Sequence, residues 1–121
     1  MSSPRAKRSS APADHRPLDL PQLQAVADLF AVLSEPSRLR ILQVLQKGPA
    51  SVGEIAEQTG FKQANASKQL GILTAGGLLS RRQEGNRVVY SIALPLVFDL
   101  CELVCTGIAA QATAYAEALK R

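Results

Sequence analysis

A closely spaced set of helix-start and helix-stop signals lies within residues 51–77 and limits the fold that this chain can adopt. The run Ser-Val-Gly-Glu at 51–54 is a capping box, in which serine and glutamate side chains satisfy free backbone amides at the start of a helix. Gly60 follows about two helical turns later and suits the left-handed conformation that ends a helix. A second helical segment over 62–75 ends at Gly76-Gly77. The sequence therefore predicts two short helices joined by a tight turn.

Three further helices are predicted from apolar residues that recur three or four positions apart. The first covers residues 22–33, the second runs from Pro36 to the Gly48-Pro49 pair, and the last extends from Pro95 to about Lys120. Aromatic residues make up only 4% of the 121 residues and Trp is absent, so the core must come from Leu, Val, Ile and Ala. This composition favours a helix-rich domain over a β-sandwich.

Two short β-forming runs, at 78–82 and 87–92, precede the last helix. The turn between them contains Gly85-Asn86, for which we expect the positive backbone angles of a tight hairpin. The predicted fold is mainly α with a β-hairpin wing, a winged helix-turn-helix over residues 18–121. Residues 1–17 are basic and contain no large apolar side chain after the first methionine, so we predict a disordered N-terminal arm.

Positive charge is concentrated in the middle of the chain. The formal net charge is +4, from 14 basic and 10 acidic residues. Residues 36–90 carry eight Lys or Arg against three Glu, whereas 18–35 and 91–121 are both net acidic. We therefore expect the two short helices and the hairpin to face a polyanion.

Reactive side chains are too scarce for most catalytic sites. The single histidine, His15, lies in the polar N-terminal arm, so neither a Ser-His-Asp triad nor a histidine metal site is expected in the domain, and we predict no enzyme activity. Two cysteines are too few for a disulfide framework. We see neither a secretory signal nor an apolar run near the ~18 residues of a membrane span, which predicts a cytoplasmic protein outside the membrane.

The outward side of the segment 62–75 is rich in amide and basic side chains, whereas its other side is apolar. Gln and Asn donate and accept hydrogen bonds together, as the major-groove edge of adenine requires, and Lys suits guanine. We expect this helix to enter the major groove of double-stranded DNA, with the hairpin arginines on phosphates. The predicted DNA-binding residues are Lys62, Gln63, Asn65, Ser67, Lys68, Gln69, Arg81, Arg82 and Arg87.

Two less specific interpretations compete with DNA binding. The helix and hairpin could simply be solvated surface, or the domain could bind another protein, for which we would expect a neutral or acidic helix. Lys62 and Lys68 argue against the second interpretation. Lys62 also stands where a capping Ser or Thr would be expected, so the first amides of this helix are free to bind a phosphate.

Four runs carry a resemblance to a known family: LSEPSRLRIL at 33–42, ASKQLGIL at 66–73, GGLL at 76–79 and GNRVVYSI at 85–92. In these runs the chain resembles the ArsR/SmtB family of small bacterial winged-helix repressors, over about residues 22–110. The resemblance implies a homodimer that pairs through its first and last helices. It also implies binding to an imperfect inverted repeat in DNA and release when an inducer binds.

Two metal sites of that family have no counterpart in this sequence. Many relatives place Cys-x-Cys in the short helix, where this chain has Ser51 and Gly53. Zinc sensors of the family use Asp and His on the last helix, where the nearest equivalents here are Leu94 and Leu96. We therefore assign neither metal site.

Cys101 and Cys105 lie four residues apart in the last helix and so share one face. Three interpretations stay open: a soft metalloid site for trivalent arsenic or antimony, a thiol or persulfide switch, or two structural cysteines. In the last case another ligand or a partner protein would control the regulator. No Lys, Arg or His lies within one turn of either cysteine, which disfavours a fast oxidant sensor.

Overall fold

The computed structural model describes residues 17–120, which form five helices and three strands. In chain order these are α1 (Leu20–Leu33), α2 (Pro36–Leu45), β1 (Ala50–Ser51), α3 (Val52–Thr59), α4 (Gln63–Ala75), β2 (Leu79–Glu84), β3 (Arg87–Ile92) and α5 (Leu96–Leu119). All five predicted helices and both predicted strands are present. The proposed N-terminal arm falls outside the described residues except for Pro17, and His15 lies outside them as well.

The helix starts follow the capping chemistry of the sequence. Ser51 accepts a hydrogen bond from the Glu54 amide at 3.3 Å, and the Glu54 carboxylate accepts one from the Ser51 amide at 2.8 Å, which confirms the predicted capping box. Helix α1 begins two residues earlier than expected because Asp19 and Gln22 form a second box of the same kind. Gly60 ends α3 with a left-handed φ of 81°.

The strands form one antiparallel sheet in the order β1-β3-β2. Glu84 pairs with Arg87 across the hairpin, so the turn is the two-residue Gly85-Asn86 turn. Of the two turn residues, only Gly85 has a positive φ, of 64°, and the expectation of a positive angle at Asn86 is wrong. Strand β1, which adds Ala50 and Ser51 to the outer side of β3, is not predicted from the sequence. Two residues are too short for any alternation of side chains to be visible.

The core lies where α2, α3 and α4 pack against one another and against the start of α5. It is aliphatic, as the composition predicted, and Tyr90 is its one buried aromatic side chain among the described residues. The fully buried large side chains are Ile41, Leu42, Ile55, Leu70, Leu73, Leu78 and Val97. This core holds α4 by one face and leaves the other face to solvent.

Beyond its first turns, α5 extends away from this core. Val97 and Cys101 are buried, but the same apolar stripe continues through Val104 and Ile108, which are 52% and 60% exposed. By length and composition this 24-residue helix is able to cross a membrane, which corrects our expectation that no segment has that character. A single such helix is weak evidence for a membrane protein.

Candidate nucleic-acid interface

Helices α3 and α4, joined by the turn at Gly60, form a helix-turn-helix in which α4 presents its polar side to solvent. The buried side of α4 consists of Ala66, Leu70 and Leu73, all with no exposed surface. The described side chains on its exposed side are Lys62, Gln63, Ala64, Ser67, Lys68 and Gly71. Asn65 is half-buried at the edge of that side. The predicted residues Lys62, Gln63, Ser67 and Lys68 are thus brought together on one surface.

The exposed side of α4 also contains two small residues that are not among the predicted DNA-binding residues, Ala64 and Gly71. A Cβ atom added at Gly71 would meet no atom within 4 Å, so this part of the helix surface is open. Ala64, Ser67 and Gly71 are spaced three and four residues apart and share one helix face. Their small size lets a flat partner approach the helix backbone closely, and an Ala methyl group can contact a thymine methyl.

The first turn of α4 has no side-chain cap. Lys62 adopts an extended conformation, φ −66° and ψ 146°, and its side chain makes no capping hydrogen bond. This confirms the expectation from the sequence. The free amides and the positive end of the helix dipole favour an anion at this position.

The expectation that Gln69 lies on the exposed side of α4 is wrong, because its side chain is buried. It is only 7% exposed. Its Oε1 accepts a hydrogen bond from Arg38 Nη1 at 3.0 Å, and its Nε2 donates one to Asn65 Oδ1 at 3.1 Å. Arg38 is half-buried and also donates from Nε to the Val32 carbonyl at 2.6 Å. The arginine reaches Gln69 from 31 residues away, and no local pattern could reveal this contact.

Two of the three wing arginines are paired with carboxylates. Arg82 forms an ion pair with Glu84 on the same strand. Arg87 pairs with Glu54 at 3.1 Å and so ties the wing to α3. The Ser51 amide, followed by Arg87, keeps the pKa of Glu54 below its usual value. Arg81 is exposed and forms no ion pair with any described residue, which makes it the wing arginine most available to a phosphate.

The two cysteines border an apolar cavity between α1, α2 and α5, with a volume of about 390 Å³. Its lining residues are Phe30, Leu33, Ser34, Leu39, Leu100, Cys101, Val104 and Cys105. Cys101 is buried and Cys105 exposed, and both are free thiols. No cluster of three or more His, Cys, Asp or Glu that could hold a metal ion occurs within residues 17–120.

Burial and then the neighbouring Cys105 raise the pKa of the Cys101 thiol above its usual value. Gln46 lies close enough to the sulfur to offset part of this rise. The Nε2 atom of Gln46 is buried and has no hydrogen-bond partner among the described atoms. A thiol with a raised pKa is a poor nucleophile at neutral pH, which agrees with the lack of basic neighbours in the sequence.

Comparisons with known proteins agree with this arrangement. A family model described as a helix-turn-helix domain matches residues 33–82. An uncharacterized HTH-type transcriptional regulator of Mycobacterium tuberculosis, Rv0081, is 39% identical over 88 residues, covering 72% of this chain and 75% of that protein.

Two solved structures extend the likeness. A homodimeric winged helix-turn-helix DNA-binding domain from Mycobacterium bovis, described as a possible ArsR-family regulator, has a TM-score of 0.69 and 35% identity. The match covers 80% of this chain and 90% of that one. The antimony-specific transcriptional repressor AntR has a TM-score of 0.75 and 29% identity, covering 85% and 94%.

Together, the fold, the exposed side of α4 and these relatives define a winged helix-turn-helix transcriptional regulator. The relatives are regulators and not enzymes. The chain belongs to the ArsR/SmtB family, as the four sequence runs predicted.

Proposed function

We propose that this protein is a homodimeric repressor that binds an inverted repeat in double-stranded DNA and releases it when an inducer binds. The observation that carries the proposal is the arrangement of α4. One face is fixed in the core by Leu70 and Leu73, while the exposed face is polar and begins with uncapped amides. Such a helix is held rigidly enough to present its side chains to base edges in a major groove. A regulator of this kind acts on DNA in the cytoplasm.

The proposed base-reading residues are Gln63, Asn65, Ser67 and Lys68. Gln69 takes no direct part, because its amide is occupied by Arg38 and Asn65. Lys62 and the free amides beside it would bind a phosphate at the groove edge. In the wing, Arg81 would contact the backbone, with Arg82 and Arg87 contributing less while they stay paired with carboxylates.

The proposed dimer uses α1 and α5, which both expose apolar side chains that the described chain leaves uncovered. The exposed large apolar residues of these helices are Leu20, Leu23, Val26, Phe30, Leu96, Phe98, Leu103, Val104, Ile108, Tyr115 and Leu119. Exposed apolar side chains in this number mark an interface. The M. bovis relative is homodimeric. A two-fold axis through paired α5 helices would place two α4 helices on the two halves of an inverted repeat.

Arg81 is expected to contribute affinity without sequence preference. Arg81→Ala should weaken binding to operator and scrambled duplexes alike and reduce the slope of log affinity against log salt by about one unit. Arg82→Ala is the matched control, because Glu84 already neutralises that arginine, and its slope should change less. Salt-dependent titrations of both variants measure the effect. A larger loss for Arg82→Ala, or a change in base preference for Arg81→Ala, would contradict this placement of the wing.

For the inducer, the cavity beside Cys101 and Cys105 supports a soft ion or a reactive sulfur species as ligand. Two thiols on one helix face border a small apolar space, and thiolates bind soft metalloids such as trivalent arsenic or antimony. A dimer that pairs α5 would bring up to four such thiols near one another. AntR, which this fold resembles, is an antimony-specific repressor. Inducer binding between α1 and α5 would alter the dimer geometry and hence the spacing of the two α4 helices.

The double variant Cys101→Ser, Cys105→Ser tests this role. If the thiols bind the inducer, arsenite, antimonite or polysulfide should release DNA from the native protein and not from the variant, with native affinity for DNA falling by roughly 5–150-fold. Release by a soft ion should strengthen as pH rises, since burial raises the pKa of Cys101 and the bound ion must displace the thiol proton. Equal release from both proteins would place the inducer elsewhere.

A second candidate is a regulator whose cysteines are purely structural. The burial of Cys101 favours this structural role, because the side chain is only 8% exposed and packs in the core cluster with Val97. Control would then come from another small ligand or from a partner protein. In that case neither the native protein nor the double variant would release DNA in response to arsenite, antimonite or polysulfide.

A further inference from the structure

A chain of three hydrogen bonds runs from the end of α1 to the edge of the exposed face of α4. Arg38 donates from Nε to the Val32 carbonyl at 2.6 Å and from Nη1 to Gln69 Oε1 at 3.0 Å. Gln69 then donates from Nε2 to Asn65 Oδ1 at 3.1 Å. The chain passes through a buried side chain, Gln69, and ends at Asn65, which is half-buried and reaches the surface.

Each of the two amides in this chain has its orientation determined by its neighbour. The guanidinium of Arg38 has only donors, so it requires the oxygen of Gln69 and turns the Gln69 NH₂ group toward Asn65. That NH₂ group in turn requires the oxygen of Asn65. The Asn65 Nδ2 group is thereby directed away from Gln69, and the second lone pair of Oδ1 stays free. An asparagine held in this way has one donor and one acceptor to offer an adenine edge.

The other end of this chain of hydrogen bonds is the last turn of α1. The carbonyl groups of a last turn have no partners within the helix. Val32 lies against two neighbouring elements. Its carbonyl accepts a hydrogen bond from Arg38 of α2, and its Cγ2 atom lies 3.1 Å from the position that a Cβ would take at Gly76, just after α4. Leu20–Leu33 is also the helix whose outer face exposes Leu23, Val26 and Phe30. A movement of this helix would therefore reach Arg38 directly.

We propose that Arg38 is a positioning residue for DNA recognition, which acts through Gln69 to hold Asn65 in the orientation that reads a base and ties that orientation to the position of α1. The proposal rests on the DNA-binding role of α4 proposed above. An arginine is needed because its planar group donates in two directions at once, and a lysine cannot reproduce this fork.

The test compares Arg38→Lys and Arg38→Met with Arg40→Met, a matched control. Arg40 lies on the same helix, is exposed, and bonds only Gln43 among the described side chains. A DNA sequence is first selected from a random duplex library with the native protein, and the preference of each variant for that sequence over scrambled DNA is measured. Both Arg38 variants should reduce this preference by about 2- to 30-fold, whereas Arg40→Met should leave it unchanged.

A double-variant cycle separates positioning from general destabilisation. If Arg38 acts through Asn65, then Arg38→Lys should cost no further preference once Asn65→Ala is present. Arg38→Lys retains the charge, so its binding to scrambled DNA should match that of the native protein. The side-chain amide resonances of Asn65 should also shift and sharpen in Arg38→Lys, which reports on the contact without DNA.

The outcomes separate the two proposals. Additive losses in the cycle, or Asn65 amide resonances unchanged by Arg38→Lys, would overturn the positioning role even if α4 reads DNA. Failure of the native protein to select any sequence would instead overturn the DNA-binding role of α4, and the amide resonances would still test the hydrogen-bond chain. Should Arg38→Met fail to fold, Arg38→Lys and Gln69→Met provide the same comparison.

Discussion

Val104→Asp is expected to separate the proposed dimer into monomers. Val104 lies in the middle of the apolar stripe of α5 and is 52% exposed in the single chain, so we expect the substitution to leave the fold of one subunit intact. In a dimer that pairs α5, the carboxylate would be buried without a partner, which is strongly destabilising. A monomer offers one half-site instead of two, and operator affinity should fall by about 1,000-fold or more. Sedimentation and operator titration measure the two effects.

Thr113→Asp is the control for this variant. Thr113 is exposed and lies on the opposite side of α5, the side that also carries Glu102 and Glu117. The same charge placed there should leave both the dimer and the operator affinity unchanged. A Val104→Asp protein that stayed dimeric with full operator affinity would show that α5 is not part of the dimer interface. The exposed apolar stripe would then need another explanation.

The second large effect is expected from Leu70→Ala, at the centre of the buried face of α4. Leu70 has no exposed surface, and its loss should leave a cavity that lowers the free energy of unfolding by about 2–5 kcal/mol. This is a large part of the roughly 5–15 kcal/mol that stabilises a domain. Urea denaturation at a fixed protein concentration measures it, because a dimer's stability depends on concentration.

Lys68→Ala is the matched substitution on the exposed face of the same helix. Its free energy of unfolding should stay within about 0.5 kcal/mol of the native value. Its preference for the operator should fall by about 5–150-fold, the range expected for one base contact. If Leu70→Ala proved as stable as the native protein, or if Lys68→Ala unfolded, the assignment of a buried and an exposed face to α4 would be wrong.

The sequence predicted those parts of the fold that depend on neighbouring residues. The Ser51 capping box, the stop at Gly60 and the missing cap at Lys62 involve groups within four residues of each other, and all three are confirmed. Asp19 and Gln22 carry an equivalent signal, and this capping box starts the first helix two residues before its apolar periodicity begins. Local chemistry of this kind is readable because the partners are close in the chain.

The candidate site was only partly predictable, because residue type alone places polar residues at the surface. Gln69 is polar and yet buried, since Arg38 supplies its partner from another helix. Residue type alone also makes all three wing arginines available charges, although Glu84 and Glu54 pair with two of them. The contact between Glu54 and Arg87 joins residues 33 positions apart. It forms only because the fold brings β3 against α3.

Sequence alone determined the order of the elements, the aliphatic core, the polar face of α4 and the family, because periodicity, caps and motifs act over a few residues. Tertiary structure decided which polar groups on that face are free, since burial and partners depend on contacts between distant segments. It also showed that the stripe of α5 is covered only near Val97 and Cys101. A periodic pattern identifies an apolar face, but only packing shows whether the rest of the same chain is there to cover it.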